Sequence, residues 1–109
     1  MAIATEVYPQ ASTKSYKKQY RSHITIVSEI LSAVSDAGRE GTIISTVARR
    51  TNLSHHKAVA ICNDLVGAGL VETRTDLKNQ VFIITEKGRE IFQHIQRFTE
   101  LAKSLRILV

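Results

Sequence analysis

Apolar residues recur at three- and four-residue intervals through Ile24, Val27, Ile30, Leu31 and Val34, the period of an amphipathic helix; this predicts a first helix over 18–37, stopped by Gly38. From Ile43 to Arg50 there is room for two helical turns with Ile44, Val47 and Ala48 facing inward. Ser54 is a good N-cap, since its hydroxyl can accept from an orphan backbone donor of the next turn, and a third helix is predicted from there to about Gly67. Its spacing puts Ala58, Ile61, Cys62 and Leu65 on one face, with His55, His56, Lys57, Ala60, Asn63 and Asp64 on or near the other. Gly67-Ala68-Gly69 supplies the stop. Residues Leu70 to Arg74 and Gln80 to Ile84 alternate as strands do, joined by a turn containing Asp76, Lys78 and Asn79. Thr85 caps a last helix, Glu86 suits its positive dipole end, and the pattern continues close to the C-terminus.

Helix, the tight turn Thr51-Asn52-Leu53-Ser54, helix, then a two-stranded ribbon is the order of a winged helix-turn-helix. The fold class expected is mainly α with a small β-hairpin. Ile91, Ile95, Phe98, Ala102, Leu105 and Val109 follow at intervals of four, three, four, three and four, a heptad seam that Phe92, Leu101 and Leu108 widen. A helix of about 24 residues is about 36 Å long at 1.5 Å per residue, more than a small three-helix body covers, so a second copy is expected to cover the rest. The chain divides into a flexible N-terminal arm (1–15), a winged helix-turn-helix domain (16–85) and a C-terminal dimerisation helix (86–109).

Composition changes the picture in two places. With 109 residues, 43% of them apolar, and one proline, the chain suits one compact domain. Its formal charge of +5 and isoelectric point near 9.7 favour a polyanionic partner. The single cysteine excludes an intramolecular disulfide framework and fits a reducing interior. The apolar runs are too short to span a bilayer and no signal peptide is evident, so a cytoplasmic, nucleoid-associated protein without a membrane partner is expected.

Double-stranded DNA is the partner that this chemistry favours. In the major groove the third helix would bring His55, His56, Lys57 and Asn63 to base edges, with Ala60 permitting close approach or meeting a thymine methyl. Lys14, Lys17, Lys18, Arg21, Arg49 and Arg50 are placed to neutralise phosphates, and Arg74 and Lys78 on the wing could reach the minor groove or flanking phosphates, although Glu72 and Asp76 leave residues 72–80 neutral overall. Arg39, Lys87 and Arg89 read as surface charges, and His23 and His94 as surface or packing residues. Adjacent helical residues point about 100° apart, so His55-His56 without a matching cluster makes no metal site. No cofactor is implied, and no catalytic constellation appears at usable spacing, so no enzyme is expected. The dimer interface is assigned to Ile91, Phe92, Ile95, Phe98, Leu101, Ala102, Leu105 and Val109.

Asn52-Leu53-Ser54, Ala68-Gly69-Leu70-Val71-Glu72 and, after the wing, Phe82-Ile83-Ile84-Thr85-Glu86-Lys87-Gly88-Arg89-Glu90 resemble archaeal winged-helix regulators over roughly Lys17 to the C-terminus. The Leu-Ser and Ala-Gly-Leu elements recur across many winged helices; Ile-Thr-Glu-Lys-Gly after a short wing is more telling. Some members of that group are small dimeric DNA-binding or nucleoid-associated proteins, and the resemblance implies a homodimer joined by a C-terminal antiparallel coiled coil. Where many relatives carry Lys and Tyr on the third helix, this chain carries His55, His56, Ala60 and Asp64, a departure that argues against tight, strongly sequence-specific binding.

The function expected is sequence-specific or semi-specific binding of double-stranded DNA as a homodimeric transcriptional regulator. The alternatives are a nucleoid architectural protein and a winged-helix module for protein–protein interaction without DNA binding. No residue pattern identifies a small-molecule effector.

Overall fold

The structure, a computed structural model, describes residues 22–105. Four helices and one hairpin follow in order: α1 (His23–Ala37), a 3-10 turn (Gly38–Glu40), α2 (Ile44–Thr51), α3 (His55–Gly67), β1 (Val71–Asp76), β2 (Asn79–Ile84) and α4 (Glu86–Ser104). The N-terminal arm, Lys14, Lys17, Lys18, Arg21, Leu108 and Val109 lie outside the described residues.

Helix α1 starts at His23 rather than near residue 18, because Ser22 caps it: the Ser22 hydroxyl accepts from the Thr25 amide at 3.2 Å. Its buried stripe is Ile26, Val27, Ile30, Leu31, Ala33 and Val34. Ile24, expected in that stripe, is 47% exposed. The helix ends where expected, at Gly38 with φ +64°.

The turn between α2 and α3 is built residue by residue. Thr51 is the last helical residue, and its buried hydroxyl donates to the Val47 carbonyl at 2.7 Å. Asn52 takes the left-handed conformation (φ 57°) that asparagine tolerates, and its amide closes onto Ala48 and Arg49. Leu53 packs against the core, and Ser54 accepts from the Lys57 amide at 3.1 Å to start α3. The buried face of α3 is Ala58, Ile61, Cys62 and Leu65, as its spacing predicts.

The hairpin is longer and tighter than expected. Its register runs from Val71 opposite Ile84 to Asp76 opposite Asn79, leaving only Leu77 and Lys78 as the loop. Leu77 has φ +59°, a conformation that costs an ordinary L-residue about 1–2 kcal/mol. Strand β2 does not alternate: Val81, Phe82, Ile83 and Ile84 are all buried. Phe82 and Ile84 belong to the main core, while Val81 and Ile83 lie against Gly41 of a third backbone segment, where Thr42 and Phe82 exchange hydrogen bonds of 3.0 and 2.8 Å. Gly41 (φ +79°) allows that approach, since a Cβ there would stand 2.9 Å from Ile83 and 3.0 Å from the Phe82 carbonyl oxygen.

One core unites these elements. Ile30, Leu31, Val34, Val47, Cys62 and Val71 are its most deeply buried side chains, closed by Phe82 and Ile84 from the hairpin. Helix α4 packs on α1. Its start is held by the Thr85 hydroxyl, which accepts from the Gly88 amide at 3.0 Å and donates to the Gly69 carbonyl at 2.7 Å. Lys87 adds a bond of 3.1 Å to the Ala68 carbonyl, and buried Gly88 lies against the Leu70 carbonyl. The Thr-Glu-Lys-Gly motif thereby locks α4 to the end of α3.

Candidate nucleic-acid interface

The outward face of α3 is continuous. His55, His56, Lys57, Ala60, Asn63 and Asp64 are all exposed, opposite the buried stripe. At about 100° per residue, His56, Ala60 and Asn63 form the centre of that face, with Lys57 and Asp64 on one flank and His55 on the other. All five residues expected to read bases therefore share one exposed surface. Ala60, the shortest, sits in the middle, so a flat polar edge can approach the helix backbone there.

The cations are less uniform than the sequence suggests. Arg49 and Arg50 are both exposed at the C-terminal end of α2. Arg50 is engaged with the Asp36 carboxylate of α1 at 2.8 Å, with the two side chains 43% and 62% exposed. Arg49 makes no salt bridge among the described residues. On the wing, Arg74 donates to the backbone carbonyl of Arg39 at 2.9 Å, tying β1 to the 3-10 turn, whereas Lys78 is exposed at the loop. Arg50 and Arg74 can meet phosphates only by sharing or giving up these partners. Lys87, read as a surface charge, spends its ammonium on Ala68.

Cys62 is fully buried, and burial raises its thiol pKa from 9.0 to about 11, which keeps it protonated and unreactive. Among the described residues no group of three or more His, Cys, Asp or Glu side chains could hold a metal ion. No described helix is long and apolar enough to cross a membrane.

The seam of α4 divides. Ile91, Phe92 and Ile95 are half-buried against the chain's own core, so the near half of the stripe is largely intramolecular, and Ala102 is buried. Phe98, Leu101 and Leu105 remain 57%, 57% and 59% exposed. Phe98 also lines a groove of about 370 Å³ with Ile24, Thr25, Thr99, Lys103 and Ser22. Leu77, which has no role in the sequence reading, is 92% exposed at the tip of the hairpin.

A helix-turn-helix followed by a hairpin and a long helix is matched by a family model described as winged helix-turn-helix, over residues 20–103. The chain belongs to the winged helix-turn-helix family. No curated protein matches it. Among solved structures, this winged helix is similar to Sso10a-2, described as a DNA-binding protein from Sulfolobus solfataricus, with 24% identity, TM-score 0.69, and coverage of 79% of this chain and 86% of that one. The transcriptional regulator BldR from Sulfolobus solfataricus is 21% identical with TM-score 0.68, over 90% of this chain and 78% of that one. A MarR-family transcriptional regulator from Rhodococcus sp. RHA1 is 20% identical with TM-score 0.70, over 87% of this chain and 66% of that one. At these identities the likeness is one of fold.

Proposed function

We propose that this winged helix binds double-stranded DNA as a homodimeric transcriptional regulator, with α3 in the major groove. The observation that carries the reading is the exposed face of α3, centred on His56, Ala60 and Asn63, with Arg49 exposed at the end of the preceding helix. Asn63 has the geometry to pair with adenine, Ala60 to meet a thymine methyl, and Arg49 to neutralise a phosphate. The DNA-binding protein and regulators to which the chain is similar in fold support the same reading. It has no catalytic step, requires no cofactor, and places the protein on the nucleoid in the cytoplasm.

Dimerisation is supported by the apolar edge that one copy leaves uncovered: Phe98 and Leu101 on α4 and Leu105 at its C-cap, continuous through the Phe98 groove with Ile24 of α1. Two copies joined there would present two α3 helices to one duplex, whose successive major-groove faces are about 34 Å apart.

The test is fluorescence anisotropy on random duplex and on the gene's own upstream DNA, titrated with salt. Asn63→Ala is expected to change the ranking of sequences while Arg49→Ala weakens all of them and reduces the salt slope by about one. Binding that is indifferent to salt and to both substitutions sinks the reading.

A further inference from the structure

We propose that Leu77 is an apolar wedge, which the wing inserts between base steps of the minor groove to kink the duplex held by α3. The proposal rests on the DNA-binding reading above and gives the wing tip a role that charge does not supply.

Two independent observations meet at this residue. Leu77 is 92% exposed, the most exposed of the large apolar side chains among the described residues. It also has φ +59° as the first central residue of the two-residue loop between Asp76 and Asn79. Hairpin loops with a positive φ at that position normally place glycine there, and asparagine also tolerates it. A leucine at this point buries nothing and fits its backbone poorly, so packing and turn formation both disfavour it. Backbone outliers of this kind cluster where function uses them.

The surroundings point to DNA. Glu72 and Asp76 offset Arg74 and Lys78 along the ribbon, so long-range attraction at the tip is weak and a contact there must gain from apolar insertion. Leucine is one of the side chains that wedge between base steps and unstack them. Lys78 is exposed beside it for a phosphate, and Asn79 follows with an amide that can donate to minor-groove acceptors. The Arg74 bond to the Arg39 carbonyl braces the middle of the ribbon against the body. Beyond that brace and buried Val81, residues 75–80 form the exposed end of the hairpin, with Leu77 at its tip. The wedge would favour flexible pyrimidine–purine steps, giving sequence preference without a hydrogen bond to a base.

The experiment uses the full chain and ligase-mediated cyclisation of random-sequence duplexes of about 150 base pairs, near the persistence length, where an added kink is most visible. Affinity is measured in parallel by anisotropy on short random duplexes. Leu77→Asn and Leu77→Gly relax the backbone, so both variants are expected to melt no lower than the parent. They should bind about fivefold more weakly, the scale of one lost apolar contact, and should no longer raise cyclisation. Leu77→Met, which keeps an apolar wedge, should preserve the bend. Parental bending by Leu77→Asn, or a parent that binds without raising cyclisation, overturns the wedge and leaves the DNA reading standing. Loss of self-association in Leu77→Asn with bending intact reassigns Leu77 to a protein contact and overturns it too. A parent that binds no duplex at all sinks the DNA reading and the wedge with it.

Discussion

Arg50 of α2 donates to the Asp36 carboxylate of α1 at 2.8 Å, so one of the two cations in the last turn of α2 is partly neutralised by its own chain. Exposed pairs of this kind contribute about 0–1 kcal/mol to folding. Asp36→Asn is therefore expected to leave the melting temperature nearly unchanged while freeing Arg50 for phosphate. DNA affinity should rise about two- to fivefold with a steeper dependence on salt. An unchanged salt slope in a titration of Asp36→Asn would place Arg50 away from the phosphates.

At Gly88, α4 passes close against the Leu70 backbone. An added Cβ would overlap the Leu70 carbonyl oxygen and stand 2.9 Å from Ile84 Cγ1, and a backbone carbonyl cannot move aside as a flexible side chain can. Gly88→Ala is expected to lower stability by about 2–4 kcal/mol, read by thermal or urea unfolding. Gly67→Ala is the contrasting case, because nothing lies within 4 Å of its Cβ position at the last residue of α3. That substitution should raise stability by about 0.5–1 kcal/mol by removing helical glycine. Equal effects at the two sites would refute the close approach.

The exposed half of the α4 stripe is predicted to hold the dimer. Phe98→Glu with Leu101→Glu should yield a folded monomer by light scattering, since both side chains are more than half exposed in one copy. Ile95→Glu should instead unfold the subunit, because Ile95 packs on the chain's own core. A dimer that persists in the double variant would move the interface elsewhere.

Cys62 makes stability depend on pH at the alkaline end. Its folded-state pKa is raised from 9.0 to about 11, so the native state holds the proton more tightly than the unfolded chain does. The resulting stability is fully present below pH 9 and is lost as pH rises from 9 through about 11. Between those limits the unfolding free energy of the parent should fall more steeply than that of Cys62→Ala. At pH 8 a thiol reagent should label Cys62 only at the rate of unfolding. Rapid native labelling would show the thiol to be accessible.

The elements most legible in the sequence were those whose period is set by one buried face. The stripe of α3, its Ser54 cap, the stop at Gly38 and the Thr85 cap follow from local spacing and hydrogen-bonding capacity, and each has its expected place. The hairpin was less legible. Thr42 is far from β2 in sequence, so its pairing with Phe82, which brings Gly41 against Val81 and Ile83 while Phe82 and Ile84 face the core, has no local signature. The positive φ of Leu77 was equally hidden, because the expected turn was broader and included Asp76 and Asn79.

From its own order of residues, this chain determined that three short helices and a ribbon would form and which residues of α3 would face away from the core, since those features depend on neighbours one to four positions apart. Only the tertiary structure decided which cations are engaged and how the α4 stripe is divided. Asp36 meets Arg50, Arg39 meets Arg74, and the core claims Ile91, Phe92 and Ile95 while leaving Phe98, Leu101 and Leu105 outside. A side chain's partner is set by what the folded chain brings within a few ångströms of it, and that distance is not written in the local sequence.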